Sequence, residues 1–238
     1  MSKPRVAAEW AELYEGYFPD DPVEARKNAL AAADSVDAVV RLCGPSLGDT
    51  VDVGAGDGVV SAELHARGSC STITALEISV SGLGKIQARN LPVVAQRFDG
   101  YEIPFGDGHF DTAVCAHVVE HVEHERMFLK EVGRVAKRCV FIVPLEGGLR
   151  GRVDRRMGHI NYYTPATFQN LIETSGFDIV EKTVYPSSSA YEQHLHGKVG
   201  GALRNAIRNA VLKMGGGIAP HLMVYVMAVH CMQSKVTR

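Results

Sequence analysis

Short apolar runs alternate with stretches of helical periodicity from Thr50 to the end of the chain. The apolar runs predict seven strands, at 51–53, 73–78, 93–98, 112–116, 140–143, 177–184 and 222–231. The stretches between them predict helices near 59–66, 80–90, 123–136 and 164–175. Strands and helices that alternate in this way are typical of a parallel sheet with crossover helices on both faces. The pattern therefore predicts an α/β protein.

Two helical segments lie outside this alternation. Asp21-Pro22-Val23-Glu24 combines an N-cap, a proline at the first helical position and a capping-box acid, which predicts a helix that ends before Gly44-Pro45. A second segment, around 202–214, carries an apolar stripe flanked by Arg and Lys, which core or dimer packing explains more simply than membrane contact. We divide the chain into an arm with a cap helix, 1–45, and a main domain, 46–238, with a basic helix inserted at about 186–219. A homodimer is the default expectation.

The composition is that of an ordinary globular protein: 238 residues, 46% hydrophobic and 22% charged, with a formal net charge of −2. A charge so close to zero creates no general field that would attract nucleic acid. The N-terminal residues lack the apolar core of a signal peptide, and the longest apolar run, 222–230, is about half the length that spans a bilayer. Five widely spaced cysteines are expected to be reduced packing residues. We therefore expect a cytoplasmic protein without a membrane span or a nucleic-acid partner.

A glycine-rich turn follows the first predicted strand, in the run Val51-Asp52-Val53-Gly54-Ala55-Gly56-Asp57-Gly58. Glycines at such a turn remove side chains where a ligand must touch the backbone. The dinucleotide fingerprint would place glycines at 54, 56 and 59, but position 59 is Val. The spacing therefore favours another nucleotide over NAD, with a plain strand-to-helix turn as the alternative.

Two acids follow the next strands. Glu77 ends the second strand, where a doubly wound fold places an acid that hydrogen-bonds the ribose hydroxyls. Asp99 follows the third strand and is a candidate acceptor for an adenine amino group. Together with the glycine turn, these acids predict an adenosine site at the carboxyl ends of the strands.

These residues resemble the class I S-adenosylmethionine-dependent methyltransferases, and within them the group of ubiquinone-pathway enzymes. The resemblance covers most of 48–185 and lies in the stretches DVGAGDG, ITALEIS, FDGYEIPF, FDTAVCAHVVEHV, FIVP and GHINYYTPATFQNLIETSGF. It implies a Rossmann-like sheet of seven mostly parallel strands with an antiparallel final strand, and S-adenosyl-L-methionine as the cofactor. It also implies that the cofactor is bound by Asp52, Gly54, Ala55, Gly56, Gly58, Glu77, Ile78, Asp99, Gly100, Ala116 and His117. Of these, Ala116 and His117 would lie near the sulfonium.

The segment His117-Val118-Val119-Glu120-His121 carries the candidate chemistry. Methyl transfer to an alcohol requires that its proton be removed or its pKa be lowered, by a base or by a bound metal ion. Some ubiquinone-type O-methyltransferases hold a divalent ion on residues that match His117, Glu120 and His121, with an acid at the first position. Histidine there shifts the preference from Mg²⁺ toward softer ions such as Mn²⁺. The alternative is that Glu120 and His121 only anchor the turn, as in metal-free relatives. The H-x-x-E-H pattern of zinc peptidases is excluded because it requires a long helix.

The acceptor is expected to meet the loop after the fifth predicted strand. His159, in the sequence Gly-His-Ile-Asn-Tyr-Tyr, is the further candidate base or metal ligand, beside Glu120 and His121. A basic stretch with four arginines, 150–156, precedes it and fits either an anionic acceptor or a solvated loop. No motif for methylation of nucleic-acid bases follows the fourth strand. We expect O-methylation of a small molecule or an oligosaccharide; N- or C-methylation, an NAD-dependent oxidoreductase and a non-catalytic adenosine-binding scaffold are the alternatives.

Overall fold

A computed structural model describes residues 12, 14, 15, 18, 20–146, 158–215 and 225–234 of the chain. Its strands are β1 Gly48–Val53, β2 Cys70–Glu77, β3 Val94–Arg97, β4 Phe110–Ala116, β5 Ala136–Leu145, β6 Phe177–Tyr185 and β7 Tyr225–Gln233. Its helices are α1 Pro22–Cys43, α2 Val59–Ala66, α3 Val80–Ala88, α4 Glu125–Val135, α5 Pro165–Thr174 and α6 Ser189–Gly215, and a short 3₁₀ turn spans Val119–His121. The basic stretch 150–156 and the first residues of the predicted final strand lie outside the described residues.

The seven strands form one sheet in the order β3-β2-β1-β4-β5-β7-β6. Strands β1 to β5 pair in parallel, and β7 runs antiparallel between β5 and β6. The predicted Rossmann-like sheet with an antiparallel final strand is therefore confirmed. The strand order changes direction between β1 and β4. Such a switch point leaves a crevice outside the carboxyl ends of the strands.

Helices cover both faces of the sheet because its central strands are buried on both sides. On one face, Phe128 and Leu129 of α4 pack with Phe168 of α5 against β1 and β5. On the other face, Val36 and Val39 of α1 pack against β4 and β5. Full burial of each such side chain contributes roughly 1.5–3 kcal/mol, so the two layers fix where the strands end.

The helix starts that the sequence predicts are present in the structure. The side chain of Asp21 accepts a hydrogen bond from the Val23 amide, and Thr164 forms a reciprocal capping box with Thr167. The basic helix is longer than predicted, since it begins at Ser189, and it is kinked at Gly197, where φ is +75°. Its first turns carry Tyr191 and Leu195 to the crevice.

None of the described helices has both the length and the apolarity that a bilayer crossing requires. The five cysteines are free thiols, three of them buried, which is consistent with the predicted packing role.

Candidate active site

A cavity of about 960 Å³ opens at the carboxyl ends of β1, β2 and β4. This volume is at the upper end of the range for ligand clefts. Its wall includes Asp52, Gly54, Ala55, Gly56, Glu77, Ile78, Asp99, Gly100, Ala116, His117, Glu120, His121 and His159. Of the predicted site residues, Gly58 is the one outside this lining; it caps the start of α2. The structure thus brings the predicted residues together, and their individual roles remain predictions.

The glycine turn after β1 adopts backbone angles that favour glycine. Gly54 and Gly56 have φ of +76° and +58°, in the left-handed region. A Cβ on Gly54 would meet Cγ2 of Val118 at 2.5 Å, which is inside contact distance. The bare main chain therefore forms this part of the cavity wall.

Glu77 ties the turn to the next helix. Its Oε2 accepts a hydrogen bond from the Gly56 amide at 2.9 Å, and its Oε1 accepts two from the amide and hydroxyl of Ser79. A carboxylate offers about four acceptor positions, so Oε2 retains capacity for a ribose hydroxyl. The buried acid both builds the turn and presents an acceptor to the cavity.

Asp52 is fully buried at the end of β1 and accepts a hydrogen bond from the Ser61 hydroxyl at 2.7 Å. Burial raises the pKa of its carboxyl from 3.8 to about 6, although the serine acts in the opposite direction. Asp99 caps its own turn, because its Oδ1 accepts from the amides of Tyr101 and Glu102. Both acids lie on the cavity wall.

The 3₁₀ turn after β4 is held by the loop that follows the described end of β5. The amides of Ile160 and Asn161 both donate to the carbonyl of Glu120, at 2.9 and 3.0 Å. The side-chain amide of Asn161 also donates to the carbonyls of Val119 and Val122. These bonds place His159 beside the turn, so residues that are far apart in sequence form one site.

Glu120, His121 and His159 form a cluster whose candidate ligand atoms all lie within 4.8 Å of one another. The carboxylate of Glu120 is 1% exposed and has no hydrogen-bond partner among the described residues. Nδ1 of His121 lies 3.1 Å from the carbonyl oxygen of Gly158, and Nδ1 of His159 lies 2.7 Å from Oε2 of Glu146. A buried, unsatisfied carboxylate beside two histidines fits a divalent cation.

His117 lies next to this cluster but is not one of its members. It has a positive φ of +59°, its side chain is 37% exposed, and its Nδ1 lies 3.6 Å from Oε1 of Glu120. The predicted ligand set His117, Glu120 and His121 thus differs from the observed cluster at one position, which His159 takes.

The local charges suit metal binding. Burial lowers the pKa of His121, which favours the neutral form that binds metals. Burial opposes ionisation of Glu120, but the imidazole of His117, followed by that of His121, outweighs it, so the pKa of Glu120 is lowered. The cluster therefore presents the Glu120 carboxylate beside the imidazole of His121, whose neutral form burial favours.

Residues of the N-terminal arm lie against the glycine turn, the start of α3 and His121. The carboxylate of Glu15 accepts from the amides of Val80 and Ser81 at the start of α3, at 2.7 and 2.9 Å. The Phe18 ring lies 3.1 Å from the position of a Cβ on Gly56, and the Tyr14 ring contacts His121 edge-on. The sequence does not predict these contacts, because the arm residues are polar and show no helical or strand periodicity.

Glu146 is not among the site residues predicted from the sequence. Glu146 directly follows β5, just as Glu77 is the last residue of β2. An acid at the end of a buried apolar run is therefore the sequence signal that could have identified it. Tyr163 packs in the core and donates to the carbonyl of Val119, so it supports the turn rather than lining the cavity.

The outer half of the cavity is formed by α1, the end of β6 and the start of α6. It is lined by Glu24, Lys27, Asn28, Ala31, Asp34, Ser35, Tyr185, Ser187, Tyr191 and Leu195. Polar groups and two aromatic rings thus face the space beyond the cofactor residues.

Comparisons with known proteins agree with this architecture. A family described as a methyltransferase domain matches residues 24–182. Demethylmenaquinone methyltransferase of Corynebacterium kroppenstedtii is 34% identical over 101 residues, which are 40% of this chain and 42% of that relative. The chain thus spans less than half the length of this curated relative.

Solved structures with the same fold have low sequence identity. Geranyl diphosphate C-methyltransferase from Streptomyces coelicolor A3(2), in complex with Mg²⁺, geranyl diphosphate and S-adenosyl-L-homocysteine, has a TM-score of 0.67 and 14% identity over 98% of this chain and all of that one. The [4+2]-cyclase SpnF has a TM-score of 0.63 and 16% identity over 86% of this chain and 81% of that one. The second neighbour is a cyclase, so the fold alone does not define the reaction.

The family match covers well over half of the chain and includes the glycine turn, Glu77 and the 3₁₀ turn. The chain therefore belongs to the methyltransferase domain family, within the class I S-adenosylmethionine-dependent methyltransferases.

Proposed function

We propose that this enzyme methylates a hydroxyl group of a small molecule or saccharide, with the help of a divalent cation held by Glu120, His121 and His159. The observation that carries the proposal is the buried Glu120 carboxylate, which lacks a hydrogen-bond partner among the described residues and lies beside two imidazoles on the cavity wall. A buried carboxylate without a hydrogen bond is costly unless a cation compensates its charge.

The donor set indicates the kind of cation. One carboxylate oxygen and two imidazole nitrogens suit Mn²⁺, Co²⁺ or Zn²⁺ better than Mg²⁺, which prefers oxygen ligands. His117, 3.6 Å from Glu120, is placed to support the carboxylate from the cavity side. Such an ion would lower the pKa of a bound hydroxyl.

A hydroxyl acceptor makes direct use of these groups, whereas a neutral amine can attack the methyl group without them. A neutral amine already has a nucleophilic lone pair, but an alcohol must lose its proton as it attacks the methyl group. The polar and aromatic outer half of the cavity supplies hydrogen-bonding groups and flat apolar surfaces for a polyhydroxylated acceptor. Orientation of acceptor and cofactor within one cavity would supply much of the acceleration.

The test is a screen for methyl transfer with the wild-type enzyme. S-adenosylmethionine with a labelled methyl group is offered with hydroxylated metabolites and oligosaccharides, and products are identified by mass spectrometry. We expect a labelled O-methyl product whose formation is lost with chelator and restored by Mn²⁺. A Glu120→Gln variant should behave as the chelated enzyme does, whereas His65→Ala, at an exposed position on α2, should leave turnover unchanged.

Two outcomes would contradict the proposal. Labelled products on nitrogen or carbon would exclude the hydroxyl acceptor, and full turnover with chelator would exclude the cation. S-adenosylhomocysteine binding without transfer to any acceptor would favour a non-catalytic scaffold.

A further inference from the structure

We propose that Glu146 is a positioning residue that holds His159 in the tautomer protonated on Nδ1, so that the Nε2 lone pair faces Glu120 and His121. The inference rests on the proposed function for its consequence, metal binding, but the orientation of His159 can be tested without any metal. Glu146 belongs to neither the predicted site nor the cluster of candidate ligands.

The first observation is the contact itself. Oε2 of Glu146 lies 2.7 Å from Nδ1 of His159, and each side chain is only 6% exposed. A charge-assisted hydrogen bond of this length fixes which ring nitrogen carries the proton. With Nδ1 engaged, Nε2 is the nitrogen that would ligate an ion or accept a proton.

The second observation is that both partners are anchored through the backbone. The Glu146 amide donates to the carbonyl of Tyr163 at 3.1 Å, and Leu145 and Tyr163 form a β-bridge. The backbone amide of Ile160, next to His159, donates to the backbone carbonyl of Glu120. Backbone hydrogen bonds thus fix Glu146 relative to the loop, and the loop relative to the 3₁₀ turn. Because the backbone of both residues is held in this way, the hydrogen bond between Glu146 and His159 sets the orientation of the imidazole ring.

The third observation separates this pair from an ordinary structural ion pair. Both Glu146 and His159 line the cavity, and the His159 ring packs edge-on against that of His121 with 4.7 Å between centroids. A histidine that ligates a metal commonly donates its other ring N–H to a carboxylate, which sets the ring orientation and raises the basicity of the ligand. The arrangement of Glu146 and His159 has this form.

The experiment reads the tautomer directly. Long-range proton–nitrogen NMR of the metal-free enzyme at pH 8, with histidine rings labelled with nitrogen-15, is compared for wild type, Glu146→Gln and Glu146→Ala. His159→Ala assigns the resonances, and S-adenosylhomocysteine affinity confirms that each variant folds. We expect Nδ1 of His159 to carry the proton in the wild type and in Glu146→Gln, whose amide oxygen still accepts, and Nε2 to carry it in Glu146→Ala.

Titration with Co²⁺ gives the second readout. Glu146→Ala should weaken Co²⁺ binding about 10- to 100-fold, with Glu146→Gln between it and the wild type. A wild-type His159 protonated on Nε2 overturns the proposal, as does a Glu146→Ala variant with unchanged tautomer and Co²⁺ affinity. If Glu146→Ala does not fold, the wild-type spectrum and Glu146→Gln decide. A further outcome is a wild-type enzyme that binds no Co²⁺ although His159 carries its proton on Nδ1. That result would refute the cation of the proposed function but not the role of Glu146 in positioning His159.

Discussion

Replacing Asp52 with Asn tests the electrostatics at the base of the cofactor cavity. The carboxyl is fully buried and its pKa is raised to about 6, from 3.8, chiefly by burial. Below pH 3.8 the group is protonated in the folded and unfolded chains, and it imposes no charge penalty. As the pH rises from 3.8 to about 6, the unfolded chain ionises while the buried carboxyl keeps its proton, so the free energy of unfolding falls; above 6 the group is ionised in both states and no further stability is lost.

The size of the effect follows from the two pKa values. A difference of about two pH units corresponds to about 3 kcal/mol above pH 7, and at pH 5 about half of that is present. Asn removes the charge and keeps an oxygen that accepts from Ser61. Asp52→Asn should therefore raise the free energy of unfolding by about 3 kcal/mol at pH 8 and by about half as much at pH 5.

The assay is urea denaturation followed by circular dichroism at pH 5, 6.5 and 8. Asp178→Asn is the matched control, because Asp178 also accepts from a serine hydroxyl, that of Ser234, but is exposed. The control should show no comparable trend with pH. An Asp52→Asn variant whose stability difference is constant over this pH range, or which is less stable than the wild type at pH 8, would refute the reasoning.

Three further predictions concern the turn, the arm and the cluster. Gly54→Ala should abolish most S-adenosylhomocysteine binding in calorimetry and destabilise the fold by more than the roughly 1–2 kcal/mol of a left-handed residue. Its control is Gly68→Ala, where φ is also positive but nothing lies within 4 Å of the new Cβ. Equal losses of stability in the two variants would exclude a cost from the clash between the Gly54→Ala side chain and Val118. Glu15→Ala should weaken S-adenosylhomocysteine binding severalfold, because it removes the hydrogen bonds that hold the arm at the start of α3. The control Glu12→Ala should leave the affinity unchanged. Equal affinities of the two variants would show that the arm does not contribute to binding. His159→Ala should reduce Mn²⁺ affinity by about tenfold or more and His117→Ala by less, and the opposite ranking in a fluorescence competition titration would restore His117 as the ligand.

The sequence predicts the fold and the glycine turn of the cavity wall well because both depend on local patterns. Strands buried on both faces appear as continuous apolar runs, and the left-handed glycines at 54 and 56 reveal a turn without side chains. The helix starts at Asp21 and Thr164 follow from local capping chemistry.

The contacts that could not be predicted from the sequence join segments that are far apart along the chain. His159 lies beside Glu120 because the loop after β5 donates two backbone amides to one carbonyl, and no spacing rule reveals such bonds. The pairing of Glu146 with His159 depends on the same loop. The true start of the basic helix was missed because Gly197, at its kink, interrupts the helical pattern.

We propose that a buried carboxylate and two imidazoles hold a divalent cation in the cavity. The most direct measurement is anomalous diffraction from crystals grown with S-adenosylhomocysteine and Mn²⁺, with data on either side of the manganese edge. We predict one strong peak bounded by Glu120, His121 and His159. A well-ordered site without such a peak, with the Glu120 carboxylate bonded to protein or water instead, would contradict the account.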